Sequence, residues 1–361
     1  MLLKKYNIYL TKNLLKYSCI SIFLIVSIIW LTRSINYFEY ITNYGLNLVD
    51  FIKITSSLLP SILVLVLPTC SSIATIIYYF KISQNNELII LRNSGLNKIK
   101  LIISPFVVGL LICLLSYFVM FSLIPRADLA FEKAISLLKR NFSDIILNSR
   151  DFRSFNNIKI YSGTRDGDKV KSLVISINDE KNGNKLIYSE IGEMIDDNYL
   201  KLHNGSIFLL SENNDYNGMT KTLFFDEYII NIEDFFPVKN TSGDNHHIKF
   251  TRVRDLFNIK SKELKIIAEI TYKFLNPLLS LVLSLLSAVM ILNISFSRSK
   301  RNIAGILIFA LNLLIFAIFI YSYNLAKRKI FWLLMMILSV LLPIIYIIIE
   351  IIRDDRKIFT R

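Results

Sequence analysis

The chain has 361 residues, 53% apolar and 19% charged, with a mean hydropathy of +0.48 and a formal net charge of +14. Soluble domains run at about 45–50% apolar with about a quarter of residues charged, so this composition excludes a soluble globular protein and a secreted one. It also argues against a nucleic-acid partner: Arg126–Lys262 carries 20 basic and 20 acidic residues, and the whole basic surplus flanks apolar runs.

Six runs lack Asp, Glu, Lys and Arg: Tyr17–Thr32, Ile54–Phe80, Leu101–Pro125, Phe274–Ser297, Asn302–Ala326 and Ile330–Ile349. All but the first reach 20 residues, enough to cross a hydrocarbon core of ~30 Å at ~1.5 Å per residue. The first reaches that length if Leu14–Leu15 join it and Lys16 snorkels. Unbroken apolar runs exclude an outer-membrane barrel, whose strands alternate. Trp30-Leu31-Thr32-Arg33 ends the first run where a cleavage site would need small residues, so it reads as an uncleaved helix.

With the N-terminus inside, residues 1–16, 81–100, 298–301 and 353–361 are cytoplasmic and carry 15 basic residues. The short outer loops carry 5: Arg33, Lys53, Lys327, Arg328 and Lys329. This asymmetry predicts both termini inside and the long central segment outside, with Lys327-Arg328-Lys329 a local exception.

Arg33 closes the first span, where it suits either anchoring at the membrane interface or contact with an anionic headgroup. Pro60 and Pro68 in the second span and Pro277 in the fourth predict helix kinks, as moving transporters use, or simple helix shaping. Glu269 and Lys273 stand at i, i+4 where the fourth span begins. No run holds the midplane carboxylate of an ion-coupled carrier, so the energy source is external.

The loop Lys81–Lys100 is the most informative segment. Ser83 suits an N-cap and Gly95 a left-handed stop, which predicts a short helix near 84–94. Glu87, Leu91 and Ser94 share one face of it. Such a helix either docks into a partner or rests on the bilayer surface.

Between the third and fourth spans, Ile158–Tyr161, Lys171–Ile177, Lys185–Ile191, Tyr199–His203, Ser206–Leu210 and Thr220–Phe225 show partial period-two alternation. Asp166-Gly167, Asn182-Gly183, Asn204-Gly205, Asn213-Asn214 and Asn217-Gly218 separate them as turns. Many short strands predict a sandwich or jelly-roll. Residues 127–150 read as a helical extension of the third span, and 240–262 as a polar return.

Cys19, Cys70 and Cys113 all lie in apolar runs, without CxxC spacing. His246-His247 is a poor metal site, because adjacent residues do not converge, and reads as solvated loop; His203 is the remaining histidine. GxSxG, HExxH and Walker A motifs are missing, so the sequence offers no catalytic or metal constellation, and no ATP-binding motif of its own.

Several stretches carry a family resemblance. They are Leu59-Pro60 with Leu67-Pro68, Asn86–Gly95 (Asn-Glu-Leu-Ile-Ile-Leu-Arg-Asn-Ser-Gly), Ile124-Pro125-Arg126-Ala127, Phe155–Tyr161 and Glu269–Pro277. With three spans, a β insert and three spans, the chain resembles the LptF/LptG permeases of the lipopolysaccharide-export ABC transporter. The Asn-Glu-Leu-x-x-Leu-Arg form and Asn324-Leu325-Ala326 are nearer LptF. Lys273 stands where the family often has Arg.

The resemblance implies an α-helical inner-membrane protein of six transmembrane helices. Spans 1–3 occupy 1–126, a periplasmic jelly-roll-like domain 127–262, and spans 4–6 with the cytoplasmic tail 263–361. It implies that Glu87, Leu88, Leu91, Arg92 and Gly95 form the helix coupled to an LptB-like ATPase dimer, which uses the ATP. The other implied partners are a second, LptG-like permease, a periplasmic LptC/LptA-like bridge and lipopolysaccharide itself, with Arg33 as a lipid contact. The chain would bind no cofactor and catalyse no reaction.

The alternative is a membrane-anchored β-domain receptor or scaffold, for which six spans with prolines are excessive. An intramembrane lipid-modifying enzyme would need polar groups at membrane depth that these runs nearly lack. The orientation is tested by cysteines placed at Ser83, Ser299 and Asn182. An impermeant thiol reagent on intact cells should label only Asn182→Cys; labelling of Ser299→Cys instead would reverse the topology.

Overall fold

The computed structural model describes residues 2–44, 48–85, 87–93, 98–134, 152–155, 158–166, 169–179, 183–196, 199–210, 221–231, 264–293 and 298–359. Among them, six helical segments are long and apolar enough to cross a membrane, and an antiparallel sheet lies between the third and fourth. The chain forms two compact units: Met1–Thr32 with Leu58–Asp128 and Asn245–Arg361, and Arg33–Ser57 with Leu129–Asp244.

The helices are α1 (Leu2–Tyr44), α2 (Leu48–Ser57), α3 (Leu59–Gln84), α4 (Glu87–Asn93), α5 (Lys98–Phe118), α6 (Leu264–Asn293), α7 (Arg298–Ala326) and α8 (Ile330–Phe359). After α5 the chain makes a π-helical turn, Val119–Leu123, then continues helically to residue 134. Pro125 cannot donate to the preceding turn, and Ile124 N–H instead reaches Val119 O, five residues back. The expected helix over 127–150 is therefore present as far as residue 134; residues 135–150 and 240–262 lie outside the described residues.

α6 is the centre of the first unit and packs against α3, α5, α7 and α8. Its apolar side chains, such as Leu279, Leu283 and Val289, fill the interior, yet the same helix buries Asn276, Ser280, Ser284 and Ser287. These small polar side chains let neighbouring backbones approach and then bond across the gap. Ser71 Oγ of α3 donates to Ser280 O (2.8 Å), Thr75 Oγ1 and Ser284 Oγ share a hydrogen bond (3.1 Å), and so do Ser72 Oγ and Ser287 Oγ (3.1 Å). α7 joins through Asn312 Nδ2, which donates to Ser287 Oγ at 2.9 Å. On α5, a Cβ added to Gly109 would stand 3.3 Å from Leu281 Cα, so glycine sets that close approach.

The prolines fit this packing in different ways. Pro60 does not kink a helix: α2 ends at Ser57 and Pro60 lies in the first turn of α3, where a missing N–H costs nothing. Pro68 and Pro277 do lie inside helices, as do Pro105 and Pro343, which the sequence reading passed over. A proline leaves the carbonyl four residues back without its helical donor. For Pro68 that carbonyl is Val64 O, and Asn276 Nδ2 of α6 donates to it at 3.0 Å. For Pro105 it is Leu101 O, and Tyr79 Oη of α3 donates to it at 2.6 Å.

In the second unit the strands are β1 (Phe152–Phe155), β2 (Ile158–Tyr161), β3 (Arg165–Asp166), β4 (Lys169–Asp179), β5 (Gly183–Asp196), β6 (Tyr199–Leu210) and β7 (Lys221–Asn231). They pair in the order β1-β2-β4-β5-β6-β7, all antiparallel, with β3 against β4. The described strands thus run as a meander, with no Greek-key crossover among them. Ile160, Val170, Leu173, Ile175, Ile187, Leu200, Leu202 and Ile230 form the core, and Ile54 of α2 is buried with them.

Asn204-Gly205 is not a turn. It lies inside β6, so the two segments expected on either side are one strand. Asn204 takes a left-handed conformation (φ 49°), and a Cβ on Gly205 would stand 2.2 Å from Tyr188 O. Ser172 in β4 is left-handed too (φ 58°), and pairing with β5 skips it. Inward positions therefore shift parity: Val170 and Leu173, three apart, both face the core. The partial alternation in the sequence follows from these shifts.

The proline–carbonyl pairing is testable by a double-mutant cycle. Asn276→Leu should cost about 1 kcal/mol of stability in detergent, the scale of a polar contact between membrane helices. On a Pro68→Ala background, which restores a backbone donor to Val64 O, the same change should cost far less. Equal costs in both backgrounds would refute the pairing.

Candidate functional site

The loop helix, α4, begins at Glu87 and is seven residues long. Ser83 is not its cap, because α3 continues to Gln84 and Asn85 N–H closes that helix on Lys81 O. Asn85 Nδ2 donates to Glu87 Oε1 at 3.3 Å, holding the carboxylate at the start of α4. Glu87 is half-buried.

Leu88 and Leu91, three residues apart, are buried. They share one apolar cluster with Leu10 and Leu14 of α1, Tyr78, Tyr79 and Ile82 of α3, and Leu101 of α5. The apolar face of α4 is thus committed to this chain, and Leu91 is not part of a free docking face. Ile90 of α4 is exposed, at 66%. Arg92 belongs to α4 by its backbone, while Ser94 and Gly95 lie outside the described residues.

The neighbourhood of α4 is rich in tyrosine. Lys81 Nζ donates to Tyr17 Oη at 3.0 Å, and Tyr17 packs against Tyr78. Lys98, where α5 begins, donates to Asn293 Oδ1 at the end of α6 (3.0 Å), so this lysine ties two helices together.

Arg33 lies on α1 with its side chain exposed. Glu269 and Lys273 are both buried. Glu269 accepts a hydrogen bond from Tyr323 Oη of α7. Tyr323 stacks on Tyr272, with centroids 4.3 Å apart, and carries the Lys327 ammonium 4.5 Å from its ring centroid. Tyr323 gave no signal in the sequence, because only the packing of α7 on α6 brings it to Glu269.

The sheet adds a group that strand register creates. His203 of β6 lies 3.0 Å from Glu193 of β5 and 3.7 Å from Glu227 of β7. Lys169 pairs with Glu193 (3.0 Å) and Lys201 with Glu227 (2.8 Å). The bond to His203, then that to Lys169, holds the Glu193 carboxyl below the usual carboxylate range; Lys201 does the same for Glu227. These are partly exposed pairs on a sheet face. Among the described residues no cluster of three or more His, Cys, Asp or Glu could hold a metal ion; His246 and His247 lie outside them.

The leucines of α4 thus join a cluster shared with α1, α3 and α5, while Glu87 stays half-buried and Ile90 exposed. The family model of the lipopolysaccharide export system permease LptF/LptG matches residues 8–353. The chain belongs to the LptF/LptG family. It is a multi-pass inner-membrane permease, a transport subunit of lipopolysaccharide export and not itself an enzyme. The chain is also 25% identical to Uncharacterized protein RP871 of Rickettsia prowazekii (strain Madrid E) over 340 residues, covering 90% of this chain and 92% of that protein.

The two faces of α4 predict different mutant behaviour. Leu91→Asp should lower the yield of folded protein, because it puts a charge into the cluster around Leu10 and Tyr79. Ile90→Asp should leave yield and melting temperature near wild type. Detergent-solubilised yield and thermal melting read both, and a normal Leu91→Asp protein would contradict the inward placement.

Proposed function

We propose that this chain is the LptF-like permease of an ABC-type exporter that extracts lipopolysaccharide from the inner membrane. It receives work from a separate ATPase dimer through α4 and passes lipid to a periplasmic bridge. The observation that carries the reading is the setting of α4. Its outward residues, Glu87 and Ile90, are available to a partner, and its inward leucines share a cluster with α1, α3 and α5. A push on α4 enters an apolar cluster to which α1, α3 and α5 all contribute. The receptor or scaffold alternative gives no reason for such a linkage.

The basic residues flanking the spans support cytoplasmic termini, with α4 in the cytoplasm and the sheet in the periplasm. α1 and α7 are the least buried spans, with 17% and 22% of their most apolar windows buried, which leaves faces for a second, LptG-like permease. β7 ends the described strand order and exposes Leu223, Phe224 and Ile229, so an added strand from an LptC/LptA-like bridge suits it. Arg33 is available to an anionic lipid headgroup.

The test is ATPase co-purification together with lipid release from proteoliposomes. Glu87→Ala should weaken ATPase association or uncouple hydrolysis from release while the fold stays intact. Loss of one member of a buried interfacial charge pair costs roughly 2–5 kcal/mol. In the same assay Arg33→Glu should impair release more than Arg33→Lys. Full binding and full coupled release by Glu87→Ala would sink the coupling role.

A further inference from the structure

A cavity of about 510 Å³ opens between α6, α7 and α8. Leu286 of α6, Ile315 and Ile318 of α7, and Leu338, Leu342 and Tyr346 of α8 are among the residues that line it. All belong to segments long and apolar enough to span the membrane, so its mouth opens at membrane depth. Ile318, Leu342 and Tyr346 are each at least 41% exposed and mark that mouth. We propose that this cavity is a binding site for one acyl chain of a bilayer phospholipid, which completes the packing of α7 against α8.

Three observations select this occupant. The lining contains no charged side chain, and the Ser339 hydroxyl within it already donates to Met336 O at 2.7 Å. Water in such a place would lack the two to four polar partners it needs. An empty cavity would forfeit dispersion contacts along its whole wall, whereas a methylene chain recovers them. A partner's helix does not fit along its length: at a diameter of ~10 Å and a pitch of ~5.4 Å a single turn takes ~420 Å³, so the cavity holds little more than one turn. With no cation in the lining, nothing here recognises the phosphorylated headgroup of the exported lipid. Selection by the tail alone belongs to an ordinary phospholipid.

The position gives the tail a mechanical role. One side of α7 is fixed to α6 by Asn312 and Tyr323, which bond Ser287 and Glu269. Leu311, Ile315 and Ile318, on another side of α7, face the cavity. The tail takes the place of protein there, so α7 rests on lipid where it would otherwise rest on α8. This site is independent of the coupling role assigned to α4.

The test is photolabelling in the native membrane with phosphatidylethanolamine that carries a mid-chain diazirine. Peptides 311–318 and 335–346 should take up several-fold more label than the exposed face of α5 at Phe106, Leu110 and Leu114, which also faces outward. Filling the cavity by Ile315→Trp with Leu338→Trp should remove the excess and leave α5 labelling unchanged. If that variant does not fold, competition on the wild-type chain decides: added unlabelled phosphatidylethanolamine should lower the cavity label more steeply than the α5 label. Equal labelling of cavity and α5 peptides would overturn the proposal. So would an excess that survives filling or competition, or one produced by diazirine-bearing lipopolysaccharide and not by phosphatidylethanolamine.

Discussion

The polar ladder between α3 and α6 is the contact on which the membrane unit depends. Apolar side chains gain little by leaving lipid for one another, so helices in a bilayer need packing and hydrogen bonds to associate. Ser71, Ser72 and Thr75 facing Ser280, Ser284 and Ser287 supply both. Each bond is worth only about 0.6 kcal/mol on average in such a setting, but the short side chains bring the two backbones together along their length. Ser284 also donates to Pro105 O (3.3 Å) and Ser287 accepts from Asn312, so the ladder gathers α5 and α7 around the same axis. α1 shares less: Ser21 Oγ donates to Cys70 O at 3.3 Å and Tyr17 Oη accepts from Lys81 at 3.0 Å, beside an apolar cluster with α3.

That gradation of attachment suits a machine in which some helices move. α6 is held from all sides, while α1 and α7 keep long exposed faces and few polar ties. α4 sits where work would have to be delivered to such a frame. Its leucines join a cluster that includes Leu10 and Leu14 of the less firmly held α1 as well as the ladder-bound α3 and α5. In the sheet, by contrast, the ladder is backbone pairing. The side chains that draw attention there, His203 between Glu193 and Glu227, are a product of register.

Much of the architecture was legible in the sequence because its signals are local. Span length and the absence of charge depend on neighbours in the chain, and so do the turns and alternation that mark strands. What misled was also local: Asn204-Gly205 has turn chemistry, yet the left-handed residue is absorbed within β6. Pro60 reads as a kink until the break after Ser57 makes it a helix start. For α4, residue types located the segment, but not which way it faces. Leu91 shares a helical face with Glu87 by spacing alone, and only the leucines and tyrosines of α1 and α3 turn it inward. The bond from Tyr323 to Glu269 could not be read, since Tyr323 is 54 residues away.

The interior prolines carry a consequence for how this sequence drifts over generations. Pro68 and Asn276, and Pro105 and Tyr79, are each a debtor and its creditor on different helices. Losing the asparagine or the tyrosine first strands a carbonyl in hydrocarbon, whereas losing the proline first leaves only a redundant donor. The permissive order of substitution therefore runs from proline to partner. Lineages that relax these sites should pass through a proline-free intermediate, and the partner positions should vary chiefly among relatives that have already lost the ring.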